Sequence, residues 1–237
     1  EFFARYGFNR AHATDYAVIT GQTAYLKAHY PLEFMTALMT TERHNVDKLG
    51  SLIADARRND LEVRGPCVNH SDVEFSIEHD PDDSEHRFIR IGLGAIKNVG
   101  DDAVSLIVEA REESGAFTSL DDFADRVDLR KINKRTLEYL VQAGALDAFG
   151  KRPALLTMTE KMVGASAHIH EARDVGQFTL FGGLGDTTET LTVPDYFPPI
   201  PNRRLLDWEK ELLGIYLSEH PLEKQERELL DQDLVNT

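Results

Sequence analysis

Two short turns that contain glycine carry the strongest chemical signal in this sequence. They lie in residues 92–100 (Gly-Leu-Gly-Ala-Ile-Lys-Asn-Val-Gly) and residues 140–146 (Leu-Val-Gln-Ala-Gly-Ala-Leu). Each separates an apolar segment from a helical pattern, so backbone N–H groups at the start of that helix have no intrahelical acceptor. Such groups and the helix dipole favour an anion such as phosphate, and two of them could hold a nucleic-acid backbone whatever its base sequence. The turns alone leave open the alternative of two helical corners that only pack a core.

Basic side chains cluster around both turns, although the protein as a whole is acidic. Its formal net charge of −15 argues against polyanion binding by the whole surface. Acidic residues dominate residues 78–85 and 209–233, and the second range is interpreted as part of a C-terminal helix. Duplex DNA is predicted to contact backbone N–H groups of the turns, at Asn98, Val99, Gly100 and Gly144. The basic side chains predicted to help are Lys97, Lys131, Lys134 and Arg135.

Several common catalytic and metal-binding motifs are absent from the sequence. It contains no Walker loop, no serine nucleophile elbow and no His-Glu-x-x-His zinc motif. His168 and His170 are two residues apart and would point to different faces of a helix. The single cysteine, Cys67, excludes an internal disulfide and a cysteine-rich zinc site. We therefore expect no metal site in this chain and a reducing cytoplasm as its location.

The composition is typical of a soluble globular protein. With 237 residues, 41% of them hydrophobic and 28% charged, the chain can form one large domain or two small ones. No apolar run reaches the roughly 20 residues of a membrane helix, so no membrane span is expected. The chain begins with Glu1-Phe2-Phe3, and we expect it to be a piece of a longer polypeptide.

The apolar periodicity predicts a mainly α-helical fold with a small β element. Helices are predicted over residues 13–30, 32–41, 46–59, 101–114, 119–127, 134–143 and 153–173, and from near Arg203 onward. Alternating patterns predict strands at residues 61–64, 73–77 and 87–91, the last two joined as a hairpin by the loop 78–85. Glycines and prolines in residues 182–201 predict a linker without a packed element.

Five segments resemble, in the same order, the alpha (catalytic) subunits of bacterial DNA polymerase III, which are C-family replicative polymerases. They are residues 6–17 (beginning Tyr-Gly-Phe-Asn-Arg-Ala-His-Ala), 22–31, 92–100, 133–135 with 143–147, and 209–222 (beginning Glu-Lys-Glu-Leu-Leu-Gly). Asn98 stands where the family's helix–hairpin–helix turns often carry glycine. Because asparagine tolerates left-handed geometry, we expect this turn to be intact.

The resemblance implies a division of the chain into five parts. Residues 1–64 would be the end of a fingers domain, 65–91 a β-containing connector, and 92–152 a tandem helix–hairpin–helix region. Residues 153–186 would hold a helix and a clamp-binding motif, and 187–237 a proline-rich linker and a helix that leads toward an OB-fold domain. The palm domain, with aspartates that bind Mg²⁺, would lie upstream, so no catalytic residue is expected here.

The resemblance also implies partners, namely primer–template duplex DNA, a sliding clamp, a deoxynucleoside triphosphate and other replicase subunits, in the cytoplasm of a bacterium at its nucleoid. Arg10 and His12, in the first segment, would face the nucleotide. An adjacent aliphatic and aromatic pair can fill a hydrophobic pocket, and a glutamine can hydrogen-bond at the rim of that pocket. The residues that match a clamp-binding motif are Gln177, Phe178, Thr179, Leu180 and Phe181.

The implied activity is DNA-directed nucleotidyl transfer to a primer end, with this chain inactive by itself. The alternative from another functional class is a non-catalytic, clamp-tethered module of a repair or accessory protein that binds double-stranded DNA. Residues 6–31 distinguish the two hypotheses, because an accessory module has no need of a fingers segment.

Overall fold

The computed structural model describes residues 10–174 and 190–218, and this part of the chain is mainly α-helical. The helices are α1 (Arg10–His29), α2 (Pro31–Thr41), α3 (Val46–Arg58), α4 (Asp101–Ser114), α5 (Leu120–Arg126), α6 (Lys134–Gln142), α7 (Arg152–Asp174) and α8 (Asn202–Leu213). The strands are β1 (Val63–Arg64), β2 (Ser76–His79) and β3 (Arg87–Arg90), and short 3₁₀ turns lie at Leu93–Ala95 and Asp147–Phe149. The predicted class, mainly α with a small β element, is confirmed.

Local sequence signals explain where several helices begin. The side chains of Asn45, Ser119 and Asn133 each accept a hydrogen bond from a backbone N–H group in the first turn of α3, α5 and α6. These residues are preferred N-caps because they satisfy donors that have no intrahelical partner. Helix bounds predicted from periodicity therefore agree with the structure to within a few residues.

The three strands form one sheet in the order β1–β3–β2. β3 pairs in parallel with β1 and antiparallel with β2, and Ile89 lies opposite both Val63 and Ile77. The predicted hairpin is confirmed, but β2 begins at Ser76 and not at residue 73. The physical reason is that the carbonyl of Val73 accepts a hydrogen bond from the N–H of Gly94 (3.0 Å), which ties this segment to the first turn.

A single apolar core joins α2 and α3, the sheet, and the helices that follow. It includes side chains that are almost completely buried in each part: Met39, Ile53, Ile89, Leu93, Ile107, Phe123, Leu137, Leu146, Leu155 and Leu212. Its contiguity means that the glycine turns are fixed by packing from several elements.

Helix α1 lies at the surface of this core. Tyr16 and Tyr25 are 59% and 57% exposed, and Val18 and Ile19 are exposed to a similar degree. The Nζ atom of Lys27 binds a carboxylate oxygen of Asp55 in α3 at 2.8 Å. In the described ranges, no helix combines the length and apolar character needed to cross a membrane.

The proline-rich segment after residue 190 packs on the core, which corrects the expectation of a linker without packed elements. Residues 190–201 contain no helix or strand, but Leu191 is buried and its N–H donates to the Asp121 carboxylate at 2.8 Å. Val193 also packs against the core. Two apolar side chains among the prolines are enough to anchor an extended segment.

The C-terminal helix expected over residues 209–233 is corrected as far as residue 218, and residues 219–233 lie outside the described residues. Within the described residues α8 ends at Leu213, because Gly214 adopts a left-handed conformation with φ of +79°, which cannot continue the helix. This is a common way for a helix to end at glycine.

The turn between α5 and α6 is held by two buried polar groups. The Ser166 hydroxyl on α7 accepts a hydrogen bond from the N–H of Leu129 (3.0 Å) and donates one to the carbonyl of Val127 (2.9 Å). The Asp128 carboxylate, which is 8% exposed, accepts hydrogen bonds from the guanidinium of Arg130 at 2.8 Å. Those bonds hold the pKa of Asp128 at about 2, against an ordinary 3.8.

We predict that Asp128→Asn lowers the free energy of unfolding at neutral pH by about 1–2 kcal/mol. Because the folded-state pKa is depressed, Asp128 stabilises the fold above its unfolded pKa, and this contribution disappears as the pH falls from about 4 to 2. Denaturant unfolding across this pH range should show a shallower loss of stability in the variant. Asp82→Asn, a change at an exposed loop carboxylate, is the control, and equal acid sensitivity of the wild type and Asp128→Asn would contradict the prediction.

Candidate nucleic-acid interface

The end of the first turn, residues 96–100, has the left-handed residue that the sequence predicted. Asn98 has a φ of +67°, so the turn is intact without glycine at this position. The N–H of Val99 donates to a carbonyl inside the turn. Within the described residues, the N–H groups of Asn98 and Gly100 reach no acceptor, and a Cβ on Gly100 would meet nothing within 4 Å. The turn therefore presents two backbone donors to an approaching anion, with the exposed side chain of Lys97 beside them.

Two acidic residues follow this turn at the start of α4. Asp101 binds Nη2 of Arg43 at 2.8 Å, while Asp102 is exposed. Arg43 also binds Glu74 at 3.1 Å. Carboxylates at a helix N-terminus would repel phosphate, so the guanidinium of Arg43 reduces the repulsion at the position closest to the turn.

The second turn is closed and covered at residues 143–146. Gly144 is buried with a φ of +88°, and its N–H donates to the carbonyl of Val141 at 3.0 Å. A Cβ on Gly144 would lie 2.5 Å from Nη2 of Arg152, so glycine allows the guanidinium to lie over the turn. These contacts give Gly144 a packing role. Contact between Gly144 and a phosphate stays a prediction, although the N–H group of Gly144 is already hydrogen-bonded within the turn.

The other predicted DNA-binding side chains lie at the beginning of α6 or just before it. Lys131, Lys134 and Arg135 are all exposed, and the first turn of α6 contains no acidic residue. The hydrogen bond from Lys134 to Glu160 raises the pKa of the lysine. Lys131 lies 3.6 Å from a buried carboxylate, whereas Arg135 forms no ion pair in the part of the chain that the structure describes.

Helix α8 lies between the two turns. The N–H of Lys97 donates to the carbonyl of Leu212 at 3.0 Å, and Nη1 of Arg152 donates to Oε1 of Glu209 at 2.9 Å. Leu212 and Glu209 are three residues apart, which is about 4.5 Å along a helix axis. The structure therefore brings the two turns together on neighbouring positions of one helix.

The basic residues of α6 are not part of that junction. Arg152 also reaches the carbonyl of Gln142, at the end of α6, at 3.5 Å. Lys134 is the first residue of that helix, about 12 Å from Gln142 along the axis. Lys97 and the basic start of α6 therefore form two separate positive regions.

The remaining predicted site residues lie apart from the turns or outside the described residues. Arg10 is exposed at the first residue of α1, and the His12 ring contacts Tyr16 edge to face at 4.5 Å. The predicted clamp-binding residues 177–181 lie outside the described residues. Within the described ranges, no group of three or more His, Cys, Asp or Glu side chains is arranged to hold a metal ion.

Sequence reasoning did not identify Glu209, Arg152 and Arg43 as residues that position the turns. A signal for Glu209 was present, because it lies at helical spacing from Leu205, Leu206, Leu212 and Leu213 on the apolar face of α8. A charge on such a face is buried only with a partner. No comparable pattern identifies Arg43, which lies between α2 and α3 and whose partners are 31 and 58 residues away.

Comparison with known proteins gives one family model and many relatives. The model described as a helix-hairpin-helix motif matches residues 60–156, which includes both turns and the sheet. The DNA polymerase III subunit alpha of Thermus aquaticus is 44% identical over 222 residues, 94% of this chain and 17% of that protein. The proteins of the same name from Vibrio cholerae and Xylella fastidiosa are 38% and 40% identical, over 97% and 99% of this chain and 19% and 20% of their own lengths.

The chain thus spans about a fifth of the length of the curated relatives it matches. The resemblance predicted from five ordered segments is confirmed: over nearly its whole length, this chain is similar to bacterial DNA polymerase III alpha subunits, and its residues 60–156 match the helix-hairpin-helix motif.

Proposed function

We propose that this chain is part of a replicative DNA-directed DNA polymerase, which transfers nucleotides to a primer 3′ end in the bacterial cytoplasm at the nucleoid. The observation that supports this most is the similarity to DNA polymerase III alpha subunits over 94–99% of the chain. Catalysis would take place at a palm domain outside this chain, where aspartates would bind Mg²⁺. The chain by itself would be inactive.

The similarity also favours the polymerase over a clamp-tethered accessory module. The relative from Xylella fastidiosa aligns with 99% of this chain, so the match includes the segment 6–31 that distinguishes the two hypotheses. A module that only bound DNA would need the region of the two turns and not this segment. We therefore propose the polymerase function alone.

Within that polymerase, the chain would bind the primer–template duplex through the first turn and the start of α6. Exposed donors at Asn98 and Gly100, with Lys97 beside them, suit a phosphate oxygen. Arg135 adds an exposed cation. These groups contact the backbone and not the base edges, so we infer binding that is steeply salt-dependent and nearly independent of sequence.

Two further contacts belong to the same proposal. Arg10 and His12, at the exposed start of α1, would face the incoming nucleotide, where a cation stabilises triphosphate charge. Residues 177–181 would bind the sliding clamp, and other replicase subunits would join the complex. Tethering to a ring around DNA raises the effective concentration of the enzyme at the primer end.

The first test concerns duplex binding. In the full-length protein, Lys97→Ala combined with Arg135→Ala should weaken binding and lower the slope of log K against log salt by about 2, because two phosphate contacts are lost. Fluorescence anisotropy at several salt concentrations measures both quantities. Lys48→Ala with Arg58→Ala changes the charge equally at exposed positions of α3 and is the control. An unchanged slope in the first variant would limit the turns to a structural role.

The second test concerns the nucleotide. Arg10→Ala in the full-length enzyme should raise the KM for deoxynucleoside triphosphates or lower kcat, roughly tenfold in kcat/KM, since one charge-assisted contact is removed. Steady-state primer extension gives both constants. Lys27→Ala removes the same charge at the opposite end of α1 and should leave them as in the wild type. The assignment fails when Arg10→Ala also matches the wild type.

The third test concerns the clamp. Leu180→Ala with Phe181→Ala should abolish clamp binding, measured by surface plasmon resonance, and spare synthesis without the clamp, because two anchors of a small interface are lost. Tyr196→Ala is the control, since Tyr196 is 89% exposed in the proline-rich segment and lies outside the motif. Wild-type clamp affinity in the double variant would refute this assignment.

A further inference from the structure

Residues 209–218 form the segment that the proposed function leaves unexplained. It begins on α8 with Glu209, which is completely buried, and passes through the left-handed Gly214. A buried carboxylate is costly unless it is paired and hydrogen-bonded, so its partners show what the segment holds together.

Both oxygens of the Glu209 carboxylate accept hydrogen bonds, from donors in two parts of the chain. Its Oε2 atom accepts from the backbone N–H groups of Leu217 (2.7 Å) and Ser218 (3.0 Å), and the Ser218 hydroxyl binds Oε1. Nη1 of Arg152 also donates to Oε1, at 2.9 Å. Burial alone opposes ionisation, but these bonds outweigh it and lower the pKa of Glu209. The group therefore holds its charge at neutral pH.

Arg152 connects this charge to the second turn. Its side chain is largely buried and also binds Asp147 at 2.9 Å and the carbonyl of Gln142 at 3.5 Å. A Cβ on Gly144 would lie 2.5 Å from its Nη2 atom, which shows that the guanidinium lies directly on the turn. Glu209 thus acts on the second turn through one intermediate side chain.

The same helix connects to the first turn one helical turn later. The carbonyl of Leu212 accepts the N–H of Lys97 at 3.0 Å. Lys97 immediately precedes Asn98, so this bond fixes the backbone next to the exposed donors. Movement of α8 along its axis would break this bond and the Glu209–Arg152 pair together.

The end of α8 is in turn fixed against α3. A Cβ on Gly214 would lie 2.2 Å from the carbonyl oxygen of Val46, and a Cβ on Gly50 would lie 2.6 Å from the carbonyl oxygen of Gly214. The carbonyl of Tyr216 accepts a hydrogen bond from Arg57 at 3.2 Å. Two close backbone approaches leave this end of the helix little freedom to move.

We propose that Glu209 is a positioning residue for DNA binding: through Arg152 it fixes α8 between the two turns, so that the donors of the first turn and the basic start of α6 approach one duplex in a single relative orientation. This inference rests on the proposed duplex-binding function. The segment 209–218 would then hold α3, the first turn and the second turn in fixed positions relative to one another.

The test compares two isosteric substitutions on the same helix in the full-length protein. Glu209→Gln removes the buried charge, and Glu211→Gln removes an exposed one. Both changes reduce the negative charge of an acidic protein, so electrostatics alone would tighten duplex binding in both. We expect Glu209→Gln instead to weaken binding to a labelled primer–template duplex roughly threefold to tenfold and to lower the salt slope by about 1, the loss of one phosphate contact. Glu211→Gln should bind as tightly as the wild type or more tightly.

Two further measurements separate positioning from stability. Affinities are compared well below the melting temperature of each variant, and hydrogen exchange reports whether the N–H of Lys97 loses protection in Glu209→Gln. Ser218→Ala removes one donor to Glu209, keeps the pair with Arg152 and should give a smaller loss in the same direction, which serves if Glu209→Gln does not fold.

The outcomes distinguish a failure of the positioning role of Glu209 from a failure of the proposed duplex binding. Weaker binding with a lower slope in Glu209→Gln supports positioning. A lower melting temperature with affinity and slope equal to those of Glu211→Gln overturns it and leaves duplex binding standing. A wild-type protein that shows no salt-dependent duplex binding overturns the proposed function, and this inference falls with it.

Discussion

The buried charge of Glu209 sets the main constraint on this fold. A carboxylate without solvent must receive hydrogen bonds on both oxygens, and its donors here come from Arg152, Leu217 and Ser218. Arg152 lies 57 residues away along the chain. Because breaking such a pair strands a charge inside the protein, the start of α7, the middle of α8 and the chain after Gly214 must assemble together.

The two turns share a left-handed residue but differ in what they expose. Asn98 lies in an open turn with free neighbouring donors, whereas Gly144 lies beneath a guanidinium with its own N–H occupied. A repeated motif in sequence therefore produces one surface suited to an anion and one suited to packing. The covered turn contributes by holding the position of α6, whose start carries exposed basic residues.

Local arrangement of charge explains how an acidic chain can offer a site for phosphate. The net charge is −15, but α6 begins with two basic residues and no acid. At α4, where the first helical residues are acidic, Arg43 pairs with the nearer carboxylate. Screening limits charge effects at physiological salt to about 8 Å, so the residues beside each turn matter more than the total.

The sequence by itself determined the helices, the hairpin, the left-handed Asn98 and the relation to DNA polymerase III alpha subunits, because these depend on periodicity, caps, turn chemistry and ordered motifs. Only the tertiary structure decided that Gly144 is covered, that Leu191 anchors the proline-rich segment and that Glu209 binds Arg152. These features depend on contacts between residues far apart in the chain, and local patterns carry no information about which distant side chain fills a cavity or pairs with a buried charge. The sequence marked Glu209 as a charge on an apolar face, while its partner could be identified only once α7 and α8 were brought together.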